Sequence, residues 1–446
     1  MATNRRSFIK YASLAAAGNA AGLRPFGMLN SLAQTTSNYK ALVCVFLFGG
    51  NDANNMLIQF DTAGYGNYST VRGPLAIPQA QLLQLAPTPT FALNPNLPDI
   101  QALYNNKNAA FVANVGTLMQ PTTRAQYLAG STVPSNLFSH SDQQLEWQNA
   151  SKSGATSTGW AGRIADLIST QYNPNGQVPM ITSVAGDTLF CNGSVSTPVS
   201  VSPGNLGGAT CSEGTTECAA QQATAQALLN FSSGVSLITA DNAITSNAFN
   251  YAATLSAAVQ SVSPIQTVFP TGNSLATQLK QIAQIIQVQA ALGVSRQIFF
   301  ASVGNFDTHS AQLTLQGNLL ASISPALNAF YQATQELGVQ NNVTTFTMSD
   351  FSRTFQPNSN TGSDHAWGSH HIVLGGAVNG GQIYGKFPTL ALAGPDDSGS
   401  NGRWVPSTST VQYASTLAQW FGVSVAQLPS VFPNIGAFST NNLGFV

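Results

Sequence analysis

Four short stretches of this sequence combine residue types able to do chemistry: Asp52 after Phe48-Gly49-Gly50-Asn51, Asp307 with His309 in Asn305-Phe306-Asp307-Thr308-His309, Asp350 in Ser349-Asp350-Phe351-Ser352-Arg353, and Asp364 with His365 in Asp364-His365-Ala366-Trp367-Gly368. Charged residues make up only 7% of the chain and there are five histidines in all, so a large share of the ionisable groups sits in these few loops. Burying such groups is expensive unless they are paired or hold a metal. In an extended Asp-x-His segment the two side chains point the same way. Joined by Asp52, Asp350 and His365, Asp307 and His309 supply the mixed oxygen and nitrogen ligands that hold Zn, Mn or Mg in hydrolases. Each residue alone has an ordinary reading, Asp52 or His309 as a cap and Asp350 with Arg353 as a local ion pair; their shared placement favours a metal centre.

A candidate nucleophile lies in Phe138-Ser139-His140-Ser141-Asp142. A serine at a helix N-terminus meets the positive end of the helix dipole and free N–H groups, which favour its ionisation and an anionic substrate. The competing reading is a plain helix cap. No Gly-x-Ser-x-Gly elbow follows a strand, which weighs against a Ser-His-Asp hydrolase.

These loops need elements that bring them together. Ala41 to Phe48 is a continuous apolar run closed by Gly49-Gly50, the pattern of a strand buried on both faces of a parallel sheet. Ala109 to Val115, Gln297 to Val303, Val343 to Met348 and Ile372 to Leu374 read as further strands. Leu97 to Tyr104, Ser139 to Asn149, Leu275 to Leu292, Ala311 to Leu337 with a break or kink at Pro325, and Thr410 to Phe421 read as helices. Ser139 with Asp142 three residues on gives a capping-box-like start. The alternation predicts an α/β three-layer sandwich with a largely parallel sheet, whose ligands bind beyond the carboxyl ends of the strands. Residues 151–272, rich in Gly, Ser, Thr and Asn, read as an insertion or cap.

Composition excludes several partners. With 15 Lys plus Arg against 16 Asp plus Glu, there is no electrostatic footprint for nucleic acid or anionic lipid. No apolar run reaches the length of a membrane span. The N-terminus, Asn4-Arg5-Arg6-Ser7-Phe8-Ile9-Lys10, then a weakly apolar run and Ser31-Leu32-Ala33, resembles a twin-arginine signal peptide over residues 1–33. That resemblance implies the twin-arginine export machinery as a partner and a periplasmic or secreted location for a folded protein of residues 34–446. Cleavage removes Arg5, Arg6, Lys10 and Arg24 and no acid, leaving a mildly acidic chain. Cys44 reads as a buried small hydrophobe, whereas two of Cys191, Cys211 and Cys218 are candidates for a disulfide whose pairing the sequence leaves open.

The motifs Phe48-Gly49-Gly50-Asn51-Asp52-Ala53-Asn54-Asn55, Ser139-His140-Ser141-Asp142, Thr158-Gly159-Trp160-Ala161-Gly162-Arg163, Asp307-Thr308-His309, Ser349-Asp350-Phe351-Ser352-Arg353-Thr354 and Gly362-Ser363-Asp364-His365-Ala366-Trp367-Gly368 occur in that order. With the glycines at 375, 376, 380 and 381, they resemble the twin-arginine-exported domain-of-unknown-function family numbered 1501. Its members share the alkaline phosphatase-like fold of phosphatases and sulfatases. The resemblance implies a two-metal centre of divalent ions (Zn, Mn, Mg or Ca) held by Asp52, Asp307, His309, Asp350 and His365, helped by Asp364 or His370. It implies catalytic roles for Ser139, His140 and Arg353, and substrate contacts from Asn55 and Arg124. Two departures stand out: no Cys-x-Pro-x-Arg supports a formylglycine sulfatase, and Phe351 follows Asp350 where a histidine is usual. Which of His365, His370 and His371 completes the second metal is left open.

The implied function is an exported metal-dependent hydrolase of phosphate or sulfate esters with Ser139 as nucleophile. The alternative is a non-catalytic envelope protein that binds a glycan or partner. Changing Arg5→Lys and Arg6→Lys together is expected to stop the protein leaving the cytoplasm, whereas the wild-type chain is found outside it starting at or near Gln34; undiminished export of the double variant contradicts the signal assignment.

Overall fold

Every position from Ala41 to Leu47 is buried, and a strand with no solvent face needs neighbours on both edges and layers on both sides. The computed structural model, which describes residues 38–151, 156–204, 206, 216–229 and 236–446, supplies both. Lys40–Val446 form one unit. The chain runs β1 (Lys40–Leu47), β2 (Leu57–Gln59), α1 (Thr62–Arg72), β3 (Leu83–Gln84), β4 (Phe91–Leu93), α2 (Pro98–Asn105), β5 (Ala109–Gly116), α3 (Arg124–Leu128), α4 (His140–Asn149), α5 (Trp160–Tyr172), β6 (Ile181–Ser183) and β7 (Val199–Ser200). It continues through α6 (Thr216–Leu229), α7 (Ser236–Gln260), α8 (Ser274–Gln287), β8 (Arg296–Val303), α9 (Gln312–Glu336), β9 (Val343–Ser349), β10 (Ser369–Leu374), β11 (Ile383–Tyr384), β12 (Thr408–Ser409), α10 (Thr410–Phe421) and α11 (Leu428–Val431).

The main sheet has nine strands in the order β11-β5-β10-β9-β1-β8-β6-β7, with β12 against β5, and is mixed but mostly parallel. A small antiparallel sheet, β2-β4-β3, stands apart from it. β1 lies parallel between β8 and β9, with Leu47 level with both Val303 and Ser349, so three carboxyl ends finish in line. β10 runs antiparallel to β9 and β5 and therefore begins at that same edge. This one reversal brings the loop before β10, with Asp364 and His365, to the ends of β1, β8 and β9.

Side chains alternate across β1. Leu42, Cys44 and Phe46 join Trp160 and Ile164 of α5 and Tyr413 and Leu417 of α10 in one apolar cluster. Val43 and Val45, which strand alternation sends to the other face, are equally buried. There α8 packs on β8 and on α9, and α9 on α2. Helices on both faces of a mostly parallel sheet make this an α/β layered sandwich.

Three details differ from the expectations. Pro325 does not break α9, which continues through it; the carbonyl it leaves without an N–H partner belongs to Ala321, which is exposed to water. Residues 151–272 are not wholly an insertion, because α5 packs in the core, β6 pairs with β8 and β7 extends the sheet. Cys191 is a free, fully buried thiol in the same cluster as Cys44, so it takes no part in a disulfide. Burial pushes both thiols up, well away from ionisation. Cys211, the side chain of Cys218 and the signal segment lie outside the described residues. No helix among the described residues is long and apolar enough to cross a membrane.

The exit from β1 is held by glycine. Gly49 has φ +110°, and a Cβ there would stand 2.5 Å from the Asp307 nitrogen, so only glycine lets the two strand ends run this close. The Phe306 N–H donates to the Phe48 carbonyl at 3.1 Å, fixing the loop after β8 against the end of β1.

Candidate metal centre

Four side chains from three chain segments converge at the aligned strand ends: His140 from the start of α4, Asp307 and His309 from the loop after β8, and His365 from the loop before β10. One ligand atom each of His140, Asp307 and His365 lies within 4.8 Å of the others. Asp307 Oδ1 stands 2.9 Å from His309 Nε2 and 3.3 Å from His365 Nε2, and Oδ2 stands 3.4 Å from His140 Nε2. The two nitrogens His309 Nε2 and His365 Nε2 face each other at 3.1 Å.

The other nitrogen of each ring is already occupied by an acceptor. His140 Nδ1 lies 2.7 Å from Asp350 Oδ2, His309 Nδ1 3.1 Å from Asp364 Oδ1, and His365 Nδ1 2.7 Å from the Phe138 carbonyl. With a cation standing between the Nε2 atoms and Asp307, the proton of each neutral imidazole belongs on Nδ1, because only an N–H can satisfy the carbonyl or ionised carboxylate on that side. The lone pair is then on Nε2, and three of them point at one carboxylate. His140 Nε2 is buried without a hydrogen-bond partner. Imidazoles that ligate a metal are characteristically held this way, by a carboxylate or carbonyl on the far nitrogen. The donor set of His140, His365 and Asp307 thus fits a divalent cation, with His309 Nε2 beside it against Asp307 and His365.

The supports are built from the sheet. Asp350, fully buried at the end of β9, accepts from the Gly49 N–H at 3.2 Å and from Gln144 Nε2 at 2.8 Å as well as from His140. Arg353 is buried behind Asp307; its Nη1 donates to Asp307 Oδ1 at 2.9 Å and to the Gly49 carbonyl at 3.3 Å. Burial opposes ionisation of Asp307, but the Arg353 hydrogen bond and charge, with the nearby His140 and His309, outweigh it and hold the carboxyl below its usual range. The Asp350 hydrogen bond raises His140 above the ordinary imidazole value, while burial lowers His365.

Several expected site residues stand elsewhere. Asp52 is fully buried and paired with Arg72, with Gln312 donating to the same oxygen, and its N–H donates to Gln316 Oε1 at 2.9 Å. Its position is that of a structural anchor beneath the centre. Asp350 and Asp364 meet His140 and His309 at Nδ1. Ser139 caps α4 only by position: its hydroxyl donates to Asp142 Oδ2 at 2.5 Å, and no side-chain bond to the helix backbone forms. His370 lies inside β10, stacked on Phe387 at 4.7 Å, and its Nδ1 accepts from the Asn114 N–H. His371 packs on Trp147. Burial pushes both imidazoles down to about 3, so they stay neutral core groups. Asn55 accepts from the Tyr68 hydroxyl and donates to the Leu75 carbonyl, and Arg124 Nε donates to the Asp397 carbonyl at 2.7 Å.

Sequence reasoning missed Gln144, the Phe138 carbonyl, Arg72 and Gln312. A glutamine or a backbone carbonyl carries no signal of its own, and Arg72 ends a helix with no motif around it. His140 was legible as a site residue through its place beside the candidate nucleophile, though not as one of three converging imidazoles.

The family model described as "Protein of unknown function (DUF1501)" matches residues 39–400. No curated protein matches the sequence. Among solved structures, the chain is similar over 90% of its length to PsFucS1 sulfatase from Pseudoalteromonas sp., at 10% identity, covering 71% of that chain with TM-score 0.36. It is similar over 86% of its length to a protein in the alkaline phosphatase superfamily from Vibrio parahaemolyticus, at 9% identity, covering 67% of that chain with TM-score 0.35. The lipoteichoic acid synthase LtaP from Listeria monocytogenes is matched over 87% of this chain and 73% of its own, at 9% identity and TM-score 0.36.

A protonated Nε2 has no lone pair to give, so lowering the pH opposes metal binding, first at His140, whose pKa is raised. In metal-free protein followed by NMR, His140 is expected to titrate above and His365 below the ordinary imidazole value. Asp350→Asn should bring His140 down. The opposite order of the two rings contradicts the assigned hydrogen bonds.

Proposed function

This chain belongs to the DUF1501 family, and we propose that it is an exported metal-dependent hydrolase of phosphate or sulfate esters. One observation carries the reading: three imidazoles, each with its Nδ1 held by an acceptor, turn their Nε2 atoms on the Asp307 carboxylate. A group built only to stabilise the fold has no need of three such lone pairs at the half-exposed end of a sheet.

A divalent cation bound there supplies a Lewis acid for the ester's oxygen. The chain's own residues do the rest. His140, His309, His365 and Asp307 hold the ion; Asp350, Asp364 and the Phe138 carbonyl fix the rings so that little reorganisation remains when it binds. Arg353, behind Asp307, keeps that carboxylate ionised and aimed. Ser139 sits one residue from His140, but its hydroxyl is committed to Asp142, so the hydrolase reading rests on the imidazole cluster and not on a serine nucleophile. Export to the periplasm or beyond is supported by the Arg5-Arg6 segment.

Elemental analysis of purified protein, paired with a panel of chromogenic phosphate and sulfate esters, tests the proposal. We expect a bound divalent metal, ester hydrolysis abolished by a chelator and restored by metal, and loss of both metal and activity in His365→Ala. Asp350→Asn should weaken metal affinity or activity by about 10- to 100-fold. Protein without metal affinity overturns the reading; metal with no ester turnover replaces it with the non-catalytic binding protein.

A further inference from the structure

We propose that Arg403 is the residue that receives the anionic group of the substrate at this centre. The inference rests on the hydrolase reading and names what recognises the oxyanion. Arg353 is fully buried behind Asp307, with its Nη1 committed to Asp307 and the Gly49 carbonyl, whereas Arg403 is partly exposed beside the centre.

Arg403 is built into the wall of the centre. Its Nε–H donates to the His365 carbonyl at 2.8 Å, and its guanidinium lies over the Phe138 ring at 4.3 Å. Phe138 in turn accepts, through its carbonyl, the hydrogen bond of His365 Nδ1. Arg403, Phe138 and His365 therefore close a triangle in which one member carries a metal-facing Nε2. The side chain is partly exposed, and among the described residues no carboxylate pairs with it and the bond to His365 is its only side-chain hydrogen bond. Its two terminal nitrogens keep their donors for a ligand. A planar fork of donors matches two oxygens of a phosphate or sulfate group.

The loop that presents Arg403 is held from inside. Asp397 is fully buried, and its carboxylate accepts four backbone N–H groups, from Ala393 at 2.9 Å and from Gly399, Gly402 and Arg403 at 3.0 Å. Gly402 has φ +79°, and a Cβ there would stand 2.3 Å from Phe355 Cβ, so the turn into Arg403 requires glycine. A guanidinium fixed by a hydrogen bond, a ring face and a clamped loop loses little freedom when it meets an anion, which is how preorganisation raises affinity. The charge also serves the half-exposed carboxylates: Asp307 and Asp364 repel an anionic ester, and Arg403 offsets them on the substrate's side.

The full chain loaded with metal, as wild type, R403Q and R403K, tests this with inorganic phosphate and inorganic sulfate as probes in calorimetric titration and with metal content measured alongside. R403Q is expected to keep its metal and bind the preferred anion at least about tenfold more weakly, and R403K, which keeps the charge without the fork, to fall between. If R403Q holds metal and anion as well as wild type does, Arg403 is not the anion site, and the metal centre stands. If R403Q loses its metal, the residue acts through His365 and the proposal is overturned. A metal-loaded wild type that binds neither anion overturns this proposal and the ester reading together.

Discussion

The position of one proton on each of three histidines decides what this structure can do. With Nδ1–H given to Asp350, Asp364 and the Phe138 carbonyl, the Nε2 lone pairs of His140, His309 and His365 face Asp307. Take the Asp350 contact away and the His140 ring loses both its orientation and the interaction that raises its basicity. Asp350 is itself fixed by the Gly49 N–H, and Gly49 can pass beside Asp307 only because it has no Cβ. Strand register thus sets a carboxylate, the carboxylate sets a tautomer, and the tautomer makes a ligand.

Beneath the centre the scarce charges of the chain are spent on rigidity. Asp52 and Arg72 form a fully buried ion pair, and Arg72 also donates to the Thr354 and Phe355 carbonyls. A buried pair of this kind adds little net stability, yet removing one partner costs about 3–5 kcal/mol because the other charge is left unpaired. Its service here is to tie the end of β1 to the segment after Arg353. Gln312 links Asp52 to Ser363, next to Asp364, so the same network reaches the loop that carries His365.

What could be read from the sequence was the part written in local pattern. The apolar run at 41–48 demanded a central strand, and the placement of Asp307, His309, Asp350 and His365 after or before strands put them at one edge of a mostly parallel sheet. Pairings between distant residues left no such mark. Asp52 looked like a ligand because nothing around Arg72 announces a partner for it. Ser139 and Asp142 have capping-box spacing, but an aspartate three residues on is close enough to take the hydroxyl for itself. His370 looked like a ligand by its neighbourhood, yet it belongs to a strand buried at every position, where an imidazole stays neutral.

The central claim, a cation held mainly by imidazole nitrogen, is tested most directly by X-ray absorption at the edge of the bound metal in the loaded protein. The account predicts a first shell of N and O donors at about 2.0–2.2 Å for zinc, with the outer-shell scattering of three imidazole rings, reduced by one ring in His309→Ala. A shell of oxygens alone, with no imidazole scattering, contradicts it.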